Sequence, residues 1–388
     1  MTLRAWASGW LVAVGCAVGN PAQPATLLMQ PGDNLAEVLS RAADGDEILI
    51  QAGTYSGQVG VITQKRLTLR GIGGRPVFEA AGRNAEGKAI LVVRNGDVRI
   101  ENIEFRGARV PDLNGAGVRF EKGRLQIVRS AFFDNEKGVL TANFGDAELE
   151  IIDSEFGNAP AAARLPHLIY VGRIARFTLT GSRVRAGNSG HLVKSRAYEN
   201  FIRYNELVDG PGGRAAYELE FPNGGLAVVV GNVIGQTEQT TNPALVSFAA
   251  EGADDRPRKH GLYMAHNTLM SAGMRPGLFV HVREPVAGQT MPMRLFNNLF
   301  VGLGASNAGW GQATRGNFPI PSAMLRDVGA FDYRLGSSSW LRGRAVDIPE
   351  MPPPIGKLLR PSAQFKAPAG MTPLPAGGLL SPGAVQIE

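Results

Sequence analysis

Lys194 is the only lysine between Lys137 and Lys259, in a chain where eight of the forty basic residues are lysines. It stands in the polar stretch GHLVKSRAYENFIRYNELVDGPGGRAAYELEFPNGG, Gly190 to Gly225, among His191, Arg196, Glu218 and Glu220. Cationic neighbours and partial burial both disfavour an ammonium, so a lysine placed beside Arg196 is a candidate proton acceptor. The plainer reading of the same residues is a cross-strand salt bridge from Lys194 to a glutamate. Glu218 and Glu220 form a second constellation, about 7 Å apart along a strand. That separation falls in the range of glycoside hydrolase carboxylate pairs, but next to a lysine and an arginine they are expected to form ion pairs. His167, His191, His260, His266 and His281 show no metal-ligand spacing, and no metal site is predicted from them.

The elements that position these residues show as a repeat. A short apolar strand, a small polar residue and a further apolar or aromatic residue recur as RIENIEF (99–105), IVRSAFF (127–133), EIIDSEF (150–156), TLTGSRV (178–184), FIRYNEL (201–207), VVVGNVI (228–234), YMAHNTL (263–269) and RLFNNLF (294–300). Their starts lie 28, 23, 28, 23, 27, 35 and 31 residues apart, about one turn of a parallel β-solenoid. Within each turn, period-two alternation broken by Gly, Asn, Asp or Ser reads as strand, corner, strand. Asn102, Ser130, Ser154, Ser182, Asn205, Asn232, Asn267 and Asn298 occupy the matching place. They suit a bend, where a short polar side chain satisfies backbone groups and tolerates a left-handed conformation, and they are expected to stack as an internal polar ladder.

Equivalent positions in successive coils stack about 4.8 Å apart. Aligning HLIYVG (167–172), HLVKSR (191–196), YELEF (217–221), ALVSFAAE (244–251) and LFVHVRE (278–284) by their apolar positions predicts one face. With Val193 and Ser195 inward, Leu192, Lys194 and Arg196 point outward. The same face then carries Tyr170, Glu218, Glu220, Ser247, Glu251, His281 and Arg283. It is a long, mixed-charge groove of the width a sugar chain requires, with Tyr170 and Tyr217 available to stack on pyranose rings.

Composition bounds the rest. The chain has 388 residues with fifty glycines and 44% apolar residues, which describes a folded, turn-rich protein. Arg4, the apolar run Trp10 to Val18 and the small residues of AVGNPAQPA have the layout of a secretory signal peptide, expected over residues 1–25. Export to a periplasm or beyond follows, and lipidation at Cys16, the sole cysteine, is the lesser alternative. That run is short for a membrane span, and no later stretch approaches the ~20 apolar residues one needs. A net charge of +6, spread along the chain as arginine, favours an anionic partner such as an acidic polysaccharide. No basic helix or aromatic RNA-binding signature is present, so nucleic acid is not expected, and a monomer is.

Asp33 to Ala43 places Leu35, Val38, Leu39 and Ala42 on one helical face behind an Asp N-cap, and such a helix would cover the open end of a solenoid. The order of this helix, GDEILIQAGTYSG, RLTLRGIGG and repeated coils resembles the right-handed parallel β-helix proteins of the pectin-lyase-like superfamily, over roughly Thr26 to Asp347. The fold expected is therefore all-β, a right-handed parallel β-helix over 26–347, with a Pro- and Gly-rich tail over 348–388. A closer resemblance covers about fifty residues: LVKSRAYENFIRYNELVD and AAYELEFPNGGLAVVVGNVIGQ are similar to the catalytic coils of the chondroitinase B and alginate lyase family of polysaccharide lyases. The resemblance implies that Lys194 and Ser195 match the catalytic base pair, and that Asn200 and Asn205 match the spacing after it. The catalytic arginine of that family falls on Pro222. Its acidic calcium ligands are replaced by Asn188, Ser189 and Gly190, so no cofactor is predicted and calcium is left open.

These readings converge on a lyase for a uronic-acid polymer, which removes the C5 proton and breaks the bond to the 4-linked oxygen by β-elimination. Lys194 is the expected base. Arg196 and His191 are expected to neutralise the carboxylate, and Tyr217 to donate a proton. Tyr170, Glu218, Glu220, Asn223, Ser247, Glu251, His281 and Arg283 are the expected substrate contacts. The alternatives are a non-catalytic polysaccharide-binding or assembly protein and a uronate C5-epimerase.

Overall fold

The computed structural model describes residues 24–161, 165–240, 242–252, 259–272, 276–283, 291–306 and 313–386. The expected signal-peptide segment lies almost wholly outside these residues. Among them, strands assemble into three parallel sheets of twelve, ten and eleven strands. One coil runs through Ala116–Phe120, Arg124–Val128 and Ala131–Phe133, and the next begins at Lys137, so hydrogen bonds join coil to coil. The chain is an all-β, right-handed parallel β-solenoid of about nine turns, the architecture its repeat predicts.

The corner between the twelve- and eleven-stranded sheets shows why the repeat carries its polar residue. Ser130, Ser154 and Ser182 accept through Oγ from the backbone N–H of Ile103, Ser130 and Ser154. Asn205, Asn232, Asn267 and Asn298 continue the line, each accepting through Oδ1 from the backbone N–H of the preceding rung, and Asn317 extends it. Each such bond contributes on the order of 1 kcal/mol, and far more is lost when a buried partner is left unmet. Two sequence expectations change. The left-handed residue is the one before each rung, as in Arg129, Asp153, Tyr204, His266 and Asn297. Asn102 belongs to that left-handed series, bonding Gly71 and Gly74 carbonyls, so Ile103 takes the ladder position in its coil. The reason is geometric: a side chain bonding to the preceding coil must point inward, and the residue that turns the corner cannot.

Inside the eleven-stranded sheet, Tyr55, Phe78, Phe105, Phe132 and Phe156 stack with ring centroids 4.7 to 5.8 Å apart, so one apolar column fills the first five coils. Helix α1 (Leu35–Arg41) buries Leu35, Val38 and Leu39 against Gly60–Ile62, the first strand of the ten-stranded sheet. A Cβ at Gly60 would lie 2.6 Å from the Leu39 Cδ1 methyl, so a larger residue here would push the helix side chains aside. Its N-cap is Asn34, whose Oδ1 accepts from Ala36 and Glu37 N–H. Asp33, the cap expected from sequence, instead accepts from Gln30 N–H in the preceding turn.

The Pro-rich tail is ordered over 348–386. Helix α2 (Ile355–Leu359) packs on the strands Leu226–Val230 and Gly261–Ala265, Gly370 N–H bonds Gly181 O at 2.7 Å, and Gly383 N–H bonds Asn297 O at 2.8 Å. It thereby covers parts of the outer faces of two sheets. The face of the ten-stranded sheet is left for the groove.

Candidate functional site

Five successive strands of the ten-stranded sheet carry the residues that the sequence singles out: β1 (Ile169–Val171), β2 (His191–Ser195), β3 (Tyr217–Phe221), β4 (Ala244–Phe248) and β5 (Gly277–Val282). Their register pairs Tyr170 with Lys194, Lys194 with Glu220, Glu220 with Ser247 and Ser247 with His281. These five side chains form one outward row. The sequence alignment of the coils places them in that same row.

Period-two alternation fails at the start of each strand. Leu168 and Ile169, Leu192 and Val193, Leu245 and Val246, and Phe279 and Val280 are successive residues that all enter the hydrophobic core. The residue before each pair faces out again: His167 lies edge-on to His191, and His191 edge-on to Tyr217, at centroid distances of 4.5 and 4.9 Å. Glu218 falls in register with Leu192 and Leu245, so it points inward and is fully buried. This corrects the outward placement of Leu192 and Glu218. Burial pushes the Glu218 carboxyl well above the usual range, and the nearby Asp209, itself raised to about 6 by burial, adds to the shift. Ser195 also faces inward, donating to Asn200 Oδ1 at 2.5 Å, while Asn200 donates to Ala197 O. The Lys-Ser pair and both asparagines therefore split into one groove residue, Lys194, and three interior ones.

On the outer face the charges converge. Lys194 Nζ lies 3.2 Å from Glu220 Oε2 and 3.1 Å from Glu251 Oε1. His191 Nδ1 lies 2.9 Å from Glu220 Oε2. Arg196, on the segment leaving β2, holds Glu251 with two bonds of 2.6 and 3.0 Å and donates to Asn223 Oδ1 and, at 3.3 Å, to the Tyr170 hydroxyl. Thus an arginine reaches the coil of Pro222 from one coil below. Lys194 also sits 5.9 Å from the centroid of the Tyr170 ring. Burial opposes the charge on Glu220, yet bonding to His191 and Lys194 outweighs it and holds the carboxyl below its usual range. The bond from Arg196, reinforced by Lys194, holds Glu251 at about 2.

Other expected contacts are less closely joined. Ser247 is buried within the row, with a hydroxyl that meets no partner among the described residues, and His281 follows it half-buried. Arg283 is exposed and donates to Ala250 O at 3.1 Å, tying down the turn that carries Glu251. Sequence reasoning passed over His167, whose Nδ1 accepts from His191 N–H at 2.9 Å and which burial and the facing His191 keep neutral. It also passed over Lys137, buried with its amine donating to Leu165 O and lowered to about 8 by burial. The signal for His167 was a repeated His-Leu opening both HLIYVG and HLVKSR.

Among the described residues, no group of three or more His, Cys, Asp or Glu side chains is placed to hold a metal ion. Both groove carboxylates are already matched by cations, and Ser189 and Gly190 bring no carboxylate to the place where the family's calcium ligands would stand. The donor set does not fit a calcium ion.

The architecture is that of a parallel β-helix, and a solved structure shares it. The chain is similar to pectate lyase Pel9A at a TM-score of 0.60, with 12% identity over 95% of this chain and 97% of that one. A polygalacturonase from Erwinia carotovora ssp. carotovora aligns at a TM-score of 0.41 with 12% identity, over 78% of this chain and 95% of that one. The PL6 family alginate lyase AlyGC aligns at 0.30 with 15% identity, over 72% and 44%. At such identities the likeness is one of fold. No family model and no curated protein sequence matches the chain.

Proposed function

We propose that the chain is an exported enzyme that cleaves a uronic-acid polymer by β-elimination in the groove of β1 to β5. The observation that carries this reading is the convergence of Lys194 and Arg196, from one end of β2, on a single carboxylate in an open groove. In the reaction, Arg196 receives the uronate carboxylate, and Lys194 in its neutral form takes the C5 proton. The electrons left at C5 spread into the carboxylate as enolate character, which the guanidinium stabilises. They then form the C4–C5 double bond as the C4–O bond breaks. The departing oxygen takes its proton from Tyr217, which lies against His191 at the edge of the same cluster. Lys194 bridges two carboxylates, so its amine is free to meet C5 only after one of them gives way and the bound sugar excludes water. His191, oriented by Glu220, is the second group able to take that proton.

The test is incubation of the protein with alginate, chondroitin, dermatan, hyaluronan and pectate, following near-ultraviolet absorbance of 4,5-unsaturated ends. A rate that disappears in Lys194→Ala and survives in His191→Ala assigns the base to Lys194, and the opposite pattern assigns it to His191. Altered uronate stereochemistry without chain cleavage would make the protein an epimerase. The full matching of groove cations by Glu220 and Glu251 favours a second reading, a binding module, which predicts retardation in a polyuronate gel and no unsaturated ends.

A further inference from the structure

We propose that Arg196 and Lys194 form a carboxylate subsite that the protein fills with its own Glu251, and that a uronate binds by displacing this side chain. The inference rests on the polyuronate reading of the groove and adds an occupant and an order of events to it. Three observations carry it.

The receiving groups are sunk and braced. Arg196 and Lys194 keep 15% and 12% of their side-chain surface exposed, and the guanidinium is held by Asn223 and the Tyr170 hydroxyl as well as by Glu251. Arginine's planar fork suits any carboxylate that approaches edge-on, and two parallel bonds to Glu251 show the fork in use.

The occupant, by contrast, comes from the solvent side. Glu251 keeps 44% of its side chain exposed, against 5% for Glu220, the other carboxylate on Lys194. It belongs to no strand: it sits in the turn Ala249–Gly252, closed by a bond from Gly252 N–H to Ala249 O and fixed to the coil below by Glu251 N–H to Pro222 O. Those backbone bonds survive when the side chain rotates away. Glu220 is a strut and Glu251 a removable guest.

The chemistry matches as well. A hexuronate presents one carboxylate flanked by hydroxyls, and Asn223 and the Tyr170 hydroxyl stand at the subsite with groups that bond hydroxyls. Displacement also takes from Lys194 one of its two carboxylates, the step the proposed base needs. Acid does not release the latch at working pH, because Arg196 and Lys194 hold Glu251 in its charged form down to about pH 2.

The experiment measures binding of methyl galacturonoside and methyl mannuronoside, which carry the carboxylate but no 4-linked leaving group, with methyl galactoside as the neutral control. Titrations by NMR at low salt compare wild type, Glu251→Gln, Glu251→Ala and the double variant Glu251→Gln/Arg196→Gln. Either single variant is expected to tighten uronoside binding tenfold or more with no change for the neutral sugar, and the double variant to lose that gain. Uronoside affinity that is unchanged or weaker in both folded single variants, or an equal gain for the neutral glycoside, overturns the proposal. Because these sugars cannot be cleaved, a gain in affinity with no unsaturated ends on any polymer retains the subsite and removes the lyase. Cleavage without the gain does the reverse.

Discussion

Two outer faces of this solenoid are rich in charge, and they use it differently. On the twelve-stranded sheet, Arg66, Asp97, Arg124, Glu148, Arg176 and Glu199 are register neighbours, so the sign alternates at every coil. Arg124 and Glu148 are 3.2 Å apart and Arg176 and Glu199 are 2.8 Å apart, each pair with a third or more of both side chains exposed or nearly so. In the groove Lys194 and Glu220 follow the register, but the carboxylate on which both cations converge, Glu251, does not. Lys194 and Arg196 reach a turn two coils on, and the cations keep less than a sixth of their side-chain surface. Alternation along a ladder neutralises each charge where it stands, in water, and contributes little. Convergence on one point builds a field that a ligand can use. Both faces pair arginine with carboxylates, and direction and burial separate the stabilising ladder from the site.

Removing the strut of the groove should break that contrast most severely. Glu220→Ala leaves Lys194 and His191 buried with less compensation, and the expected loss is about 3 kcal/mol in urea unfolding. Glu218→Gln sharpens the comparison from the interior. A carboxyl whose folded value is raised above its unfolded one costs stability as pH rises through the unfolded value. The variant should therefore gain on the order of 1 kcal/mol or more at pH 7, with the gain vanishing near pH 4 in thermal melts. The smallest effect belongs to the exposed ladder: Glu148→Ala is expected to stay within ~0.5 kcal/mol of the wild type and leave uronoside binding unchanged. A ladder variant that matched Glu220→Ala in cost would collapse the distinction.

The fold was legible because every coil repeats its corner. Serine or asparagine at one recurrent place announced the internal ladder, and apolar alternation announced the strands. The corner hid one detail, that the left-handed residue precedes the rung, since Arg129, Tyr204 and His266 carry no local mark of that conformation. The outward row was legible from five aligned segments. Glu218 was not, because the consecutive inward pair that reads plainly as Leu-Val or Leu-Ile in neighbouring coils is disguised by a glutamate in this one. The alignment of the coils put Glu251 on the groove face, but that it closes over Lys194 and Arg196 is a fact of three dimensions. It lies 57 residues from Lys194 and on no strand, and spacing along the chain does not encode where a turn's side chain will lean.

The rungs that run from Ser130 to Asn317 also restrict how such a chain can change length. Each backbone N–H finds its acceptor one full coil away, so a residue added within a rung's strand puts that coil out of register with the coils on either side. Length can change only by whole coils or in the connections between sheets. Variation is thereby pushed toward connections such as the turn of Glu251, and the solenoid acts as a ruler against which a binding edge can be redrawn while the spine stays in step.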